Sequence, residues 1–118
     1  MTVESAIFDT LKTLVSNRCF PDFAPLGTTR PFITFEQTGG ETYALLDGSL
    51  PNKKHGRFEI GVYADTRASC ASIALQVEAA MAAATAFQST AIHAPISDFA
   101  SDVRIYSSTQ NFSVLSSR

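Results

Sequence analysis

Four side chains carry the reactive chemistry available to this chain: the thiols of Cys19 and Cys70 and the imidazoles of His55 and His93. A thiol or hydroxyl nucleophile needs a base beside it, and a metal needs several ligands converging. Neither histidine has a second His, Cys or carboxylate at a metal-binding helical or loop spacing. His55 follows Lys53-Lys54 and is expected in a solvent-exposed loop; His93 is expected in a strand with a local hydrogen bond. There is no G-x-S-x-G elbow, phosphate-binding loop or dinucleotide fingerprint, and Gly39-Gly40 alone marks only a turn. A Cys–His pair could still be assembled by folding, because triads form in space rather than in sequence. With no activating context around any of the four, no catalytic, cofactor or metal site is expected.

The remaining features are charges and exposed leucines. Lys53, Lys54 and Arg57 cluster with His55, while Asp98 and Asp102 flank Phe99 shortly before Arg104. Both groups read as solvated turns, whose individual ion pairs contribute little. Alternatively, one patch meets the other across a subunit boundary and sets register. Leu45, Leu46 and Leu50 lie in a long connection over Gly39–His55, where ~4–6 residues is typical. They either fold back on their own subunit or contact another chain. These ten residues form the candidate contact set.

The 118 residues and 12.7 kDa allow one domain with a modest core. At 45% hydrophobic and 17% charged, the chain reads as ordered and globular. A net charge of -2 and a pI near 5.5 lack the basic surplus of a nucleic-acid binder. Two distant cysteines make no disulfide framework and are expected as reduced, packed thiols. The first residues include Glu4 and Asp9 and form no leader-like apolar core, and nothing approaches the ~20 apolar residues of a membrane span. The chain is therefore expected to stay where it is made.

The elements that must position these residues follow from periodicity. Thr2 is a helix cap, and Val3, Ile7, Leu11, Leu14 and Val15 form an apolar stripe that ends near Asn17-Arg18. Pro21, Pro25 and Gly27 are expected to forbid regular structure as far as Pro31, with at least one of Phe20, Phe23 and Leu26 closing the core edge. A strand over Pro31–Gln37 puts Ile33 and Phe35 on one face, and Thr42–Leu46 could form a short strand. In the next strand Phe58, Ile60, Val62 and Ala64 alternate with Arg57, Glu59, Gly61 and Tyr63. Asp65 or Thr66 caps a second helix with the stripe Cys70, Ile73, Ala74, Val77, Ala80, Met81 and Ala84; its thin alanine face suits close packing. Ala91–Ala94 is a candidate strand. The tail from Val103 to Leu115 has apolar residues at both parities, which predicts a bulge or a two-sided strand. The order α-β-β-α-β-β indicates an α+β fold: a small antiparallel sheet of about four strands with two main helices on one face.

These segments resemble a known family. Pro31–Phe35, the Leu46-Asp47-Gly48 turn, Lys53–Ala64, the Asp65-Thr66-Arg67 helix start, Asp98–Tyr106 and Gln110–Val114 are similar to the tail-completion, or tail-terminator, proteins of long-tailed phages. Tyr63, where tryptophan is common, and Asn111, where aspartate is frequent, are mild departures. The resemblance implies a structural protein, encoded by a phage or prophage, that forms a ring with copies of itself, typically a hexamer, from a free state that is monomeric. It implies as partners the tail tube protein and the head-tail connector protein, with DNA only as passing cargo and no membrane. It implies assembly in the host bacterial cytoplasm and a final place in the virion tail. The competing readings are a generic cytoplasmic α+β binding module and a small thiol or hydrolytic enzyme.

Overall fold

In a computed structural model of the chain, residues 2–42 and 45–118 are described. Helix α1 spans Val3–Leu11, and Thr2 caps it by accepting the Ser5 N–H at 3.1 Å. A 3-10 turn over Lys12–Val15 ends in left-handed Ser16 and Asn17. The strands are β1 (Cys19–Pro21), β2 (Phe32–Gly39), β3 (Lys53–Ala64), β4 (Gln88–Ala91), β5 (Ile96–Ala100) and β6 (Ile105–Ser117). Helix α2 spans Arg67–Ala83 between β3 and β4, and Thr66, not Asp65, caps it through the Ser69 N–H.

The strands form one sheet in the order β1-β2-β3-β6-β4, with β5 also pairing β6. Its spine is the β3–β6 ladder, regular from Lys53↔Ser117 to Ala64↔Tyr106. Both helices contribute to one core against the inward face. The alternation in β3 holds: Phe58, Ile60, Val62 and Ala64 are buried beneath the helices. Phe58 and Phe112 face each other across the ladder, each 1% exposed. The helix stripe also holds, with Cys70, Ile73, Ala74, Val77 and Met81 buried. On the opposite face no helix among the described residues covers the sheet, and Phe32 stacks on Tyr63 with ring centroids 5.0 Å apart.

The α+β class and the helix placement are as expected, but the sheet has six strands rather than about four. One extra is β1, where Cys19–Pro21 pairs parallel with Ile33–Phe35. Pro21 sits at its last position, where a missing N–H disturbs the ladder least. The strand expected over Ala91–Ala94 is shifted: β4 ends at Ala91, and β5 takes up the same edge of β6 from Ile96. Between them Ile92–Pro95 stand opposite only Gln110 and Asn111, so the edge strand bulges while β6 runs straight. A further irregularity lies in β2 between Gln37 and Gly39.

The long connection is also corrected. Lys53, Lys54 and His55 are not loop residues, because the C-terminal strand pairs with them at Ser117, Ser116 and Leu115. The hairpin connection therefore runs over residues 40–52. Gly40, at φ +145°, cannot take a side chain: a Cβ there would lie 2.6 Å from the His55 carbonyl oxygen. Of the short strand expected over Thr42–Leu46, Tyr43 and Ala44 lie outside the described residues, and Thr42 and Leu45 are in no strand. A hydrogen-bonded turn over Leu45–Gly48 forms the tip. The molecule measures 53 × 25 × 22 Å.

Candidate functional site

The ten candidate residues fall at two opposite ends of the sheet. At the hairpin end, Leu45, Leu46 and Leu50 are 52%, 111% and 58% exposed. Strand alternation splits the basic cluster beside them. Lys53, His55 and Arg57 lie on the uncovered face, and half-buried Lys54 points to the helix side. Lys53 Nζ donates to Ser117 Oγ at 3.2 Å.

Asp98, Asp102 and Arg104 lie at the other end. Asp98 is in β5, where its carboxylate accepts the Phe99 N–H at 2.8 Å and its carbonyl accepts from Arg67 at 2.7 Å. Asp102 and Arg104 belong to the turn between β5 and β6, and Arg104 is left-handed at φ 51°. Lys54 pairs with Ser116, while Asp98 pairs with Ser107, nine positions along β6. At about 3.3 Å per residue that separates the two charge patches by roughly 30 Å. Within one chain they do not meet. Between copies standing level, side by side, they do not meet either; only end-to-end contact joins them.

Two arginines that local sequence does not mark hold the Asp98 end together. Arg30 reaches Asp65 at 3.0 Å and the carbonyls of Arg104 at 3.3 Å and Val103 at 3.2 Å. Arg67 donates to Ser107 O at 3.0 Å and lies 5.3 Å from the Tyr106 ring centre. Their partners are 31 to 74 positions away, so no neighbouring residue could have revealed them.

Both histidines are wired into the backbone. The Glu41 N–H donates to His55 Nδ1 at 3.0 Å, which leaves the proton on Nε2 to be donated to Ser113 Oγ at 2.6 Å. A general base needs its bare nitrogen toward the hydroxyl, so this Ser–His pair points the wrong way round for activating Ser113. His55 is half-buried in a strand rather than exposed in a loop, since β6 brings Ser113 to it. It lines a shallow groove of about 820 Å³ with Arg57, Ser113, Leu115, Thr90 and Ile92. His93 accepts the Asn111 N–H at 3.3 Å through Nε2 and so donates from Nδ1 to the Ala94 carbonyl at 2.7 Å. Gln110 adds a bond to the His93 carbonyl at 2.7 Å, which clamps the edge bulge.

The thiols are free and buried. Burial pushes Cys19 up to about 12 and raises Cys70 as well, with Arg67 partly opposing it there. A thiol raised in this way is a poor nucleophile at neutral pH. Among the described residues no group of three or more His, Cys, Asp or Glu could hold a metal, and no helix is long and apolar enough to cross a membrane.

The outer edges of the sheet carry exposed apolar residues that sequence analysis did not place in the contact set. Phe23 and Leu26, expected as possible core anchors, are instead 75% and 106% exposed beside β1. Half-buried Phe20 and buried Cys19 close that edge. On the opposite edge Ile92, Ile96 and Phe99 are 49%, 59% and 43% exposed. Spacing gave no signal here, because exposure at a terminal strand depends on what lies beyond it.

Comparison with known proteins follows this geometry. Among solved structures the chain is similar to one described as "Virion of native gene transfer agent (GTA) particle", with a TM-score of 0.63 and 13% identity over 98% of this chain and 95% of that one. At that identity the likeness concerns the fold. No curated protein matches. A family model described as "Tail completion protein gp17" matches residues 6–116, from the first helix into the last strand. The chain therefore belongs to the tail completion protein gp17 family, and is a structural protein of a phage-type tail.

Proposed function

We propose that this protein closes the end of a tail tube as a ring, stops tube growth and presents the surface that the head connector joins. One observation carries the reading: a sheet whose two outer edges differ and each carry exposed apolar residues. A ring needs a heterologous contact, in which one patch meets a different patch on the next copy. Here β1 with its following loop supplies one patch and the β4–β5 edge the other. The ring is six-fold and assembles in the host cytoplasm from free monomers, and DNA passes through it as cargo.

The hairpin supplies the axial contact. Its leucines, with Lys53 and Arg57 at its base, meet the tube protein, while the Asp98–Arg104 turn lies toward the opposite end of the β3–β6 ladder. The described tip, residues 45–50, tightens on docking, so its amides exchange faster in the free protein than on the tube. Electron microscopy of tails made with and without this gene tests the whole reading. Overlong, headless tails are expected in its absence; normal-length tails joined to heads would end the proposal.

A further inference from the structure

The two apolar edges stand at the same height on the sheet. Following the ladder, Pro21 is level with Phe35 and Ile60, and Cys19 with Ile33 and Val62. On the other side Ile96 pairs with Thr109, which is level with Gly61, and the Ile92 N–H bonds Asn111, which is level with Glu59. Phe23, tied to Pro21 by a 2.7 Å backbone bond, therefore sits at the level of Ile92 and Ile96 across the sheet. Copies related by rotation alone, with strands along the axis, bring these levels together without any axial shift.

Both patches are held in shape before any partner arrives. Leu26 stands on a turn closed by the Thr28 N–H to Pro25 O at 3.2 Å, with Gly27 at φ 83° supplying the left-handed position. Thr28 Oγ1 bonds the same carbonyl. The receiving bulge is fixed by the three bonds of His93 described above. Pre-shaped surfaces lose less freedom on association, which suits a contact repeated around a ring.

We infer that the Phe23–Leu26 turn of one copy packs on the Ile92–Ile96 bulge of the next, and that this is the lateral contact of the ring. The inference rests on the ring reading and names its interface. The occupant of each patch is a second copy of this chain, because both patches are exposed and apolar, lie on opposite edges and stand at equal height, so that rotation alone sets one against the other. The Lys53 patch, eight positions along β3 from Gly61 at the level of Ile96, takes no part in it.

Paired cysteines test this in assembled tails. Both native thiols are buried, so introduced ones dominate the oxidation chemistry. Leu26→Cys combined with Ile92→Cys or with Ile96→Cys should give, on oxidation, a ladder of covalent oligomers ending at the ring size, and neither single variant should. Leu26→Asp, at an exposed position, should fold with an unchanged melt yet cut tail capping at least tenfold. Leu26→Lys with Ile96→Glu should restore capping that either change alone weakens. If rings are visible on tails but no cysteine pair links and Leu26→Asp caps normally, the inference falls and the ring reading stands. If no ring is present on wild-type tails, both fall together.

Discussion

Single residues report on the packing that makes the scaffold rigid. Phe112 is buried against Phe58 in the centre of the ladder, and truncating it leaves a cavity that flat neighbours cannot fill. Phe112→Ala should lower stability by about 3–5 kcal/mol in denaturant unfolding. Thr66→Ala removes one cap and should cost about 1 kcal/mol by the same measurement. Cys19 gives a pH signature. Its thiol is raised by burial from 9.0 to about 12, so the unfolded chain ionises first. The stabilising difference is intact below 9.0 and is lost as pH rises toward 12. Thermal melts across that window should fall, and Cys19→Ala should make the fall shallower; an equal slope in the variant would remove Cys19 as the cause.

Elements are tied by contacts distant in sequence. Arg30 fastens the loop before β2 to the β5–β6 turn through two carbonyls and to the start of α2 through the Asp65 carboxylate. The Asp65 side chain is 70% exposed, so its share is small and screened by salt. Asp65→Asn should change stability by less than about 1 kcal/mol. Arg30→Ala should cost more than that and speed amide exchange in the Ser101–Arg104 turn. Equal effects of the two variants would show that the carbonyl bonds contribute nothing. At the hairpin tip, Asp47 is held below the ordinary carboxylate range first by the Ser49 hydroxyl and then by the Ser49 N–H. The turn is therefore firmest above that range and loosens as pH falls through it. Protection of the Ser49 amide, taken against the intrinsic exchange rate at each pH, should fall on acidification, and Asp47→Ala should abolish that dependence.

At the scale of the whole molecule, ends and edges have separate tasks under the ring reading. Lys53 and Lys54 stand at the hairpin end, seven to eight positions along β3 from Gly61, the level of Ile96. Lys53→Glu with Lys54→Glu should weaken axial docking on the tube while the lateral cysteine ladder persists. Loss of both together would mean that the two contacts are not independent. Because charge complementarity acts mainly on encounter rate and register, the defect should deepen as salt is lowered and repulsion lengthens.

The sequence by itself determined the local pattern. Alternation over Phe58–Ala64, the stripe from Cys70 to Met81 and the cap at Thr2 each depend on residues within a turn or two, so the two helices and the central strands could be read directly, with Thr66 or Asp65 left as the second cap. It also carried the soft motifs that resemble tail-completion proteins. Only the tertiary structure decided where the strands end. Lys53–His55 became strand because Leu115–Ser117 pairs with it, and β1, β4 and β5 exist because a neighbour supplies their hydrogen bonds. It alone placed Phe23 and Leu26 outside the core, and Phe23 level with Ile92 and Ile96 on the far edge. Pairing partners are set by a contest among distant segments for backbone hydrogen bonds and apolar cover, and that contest leaves no mark on local spacing.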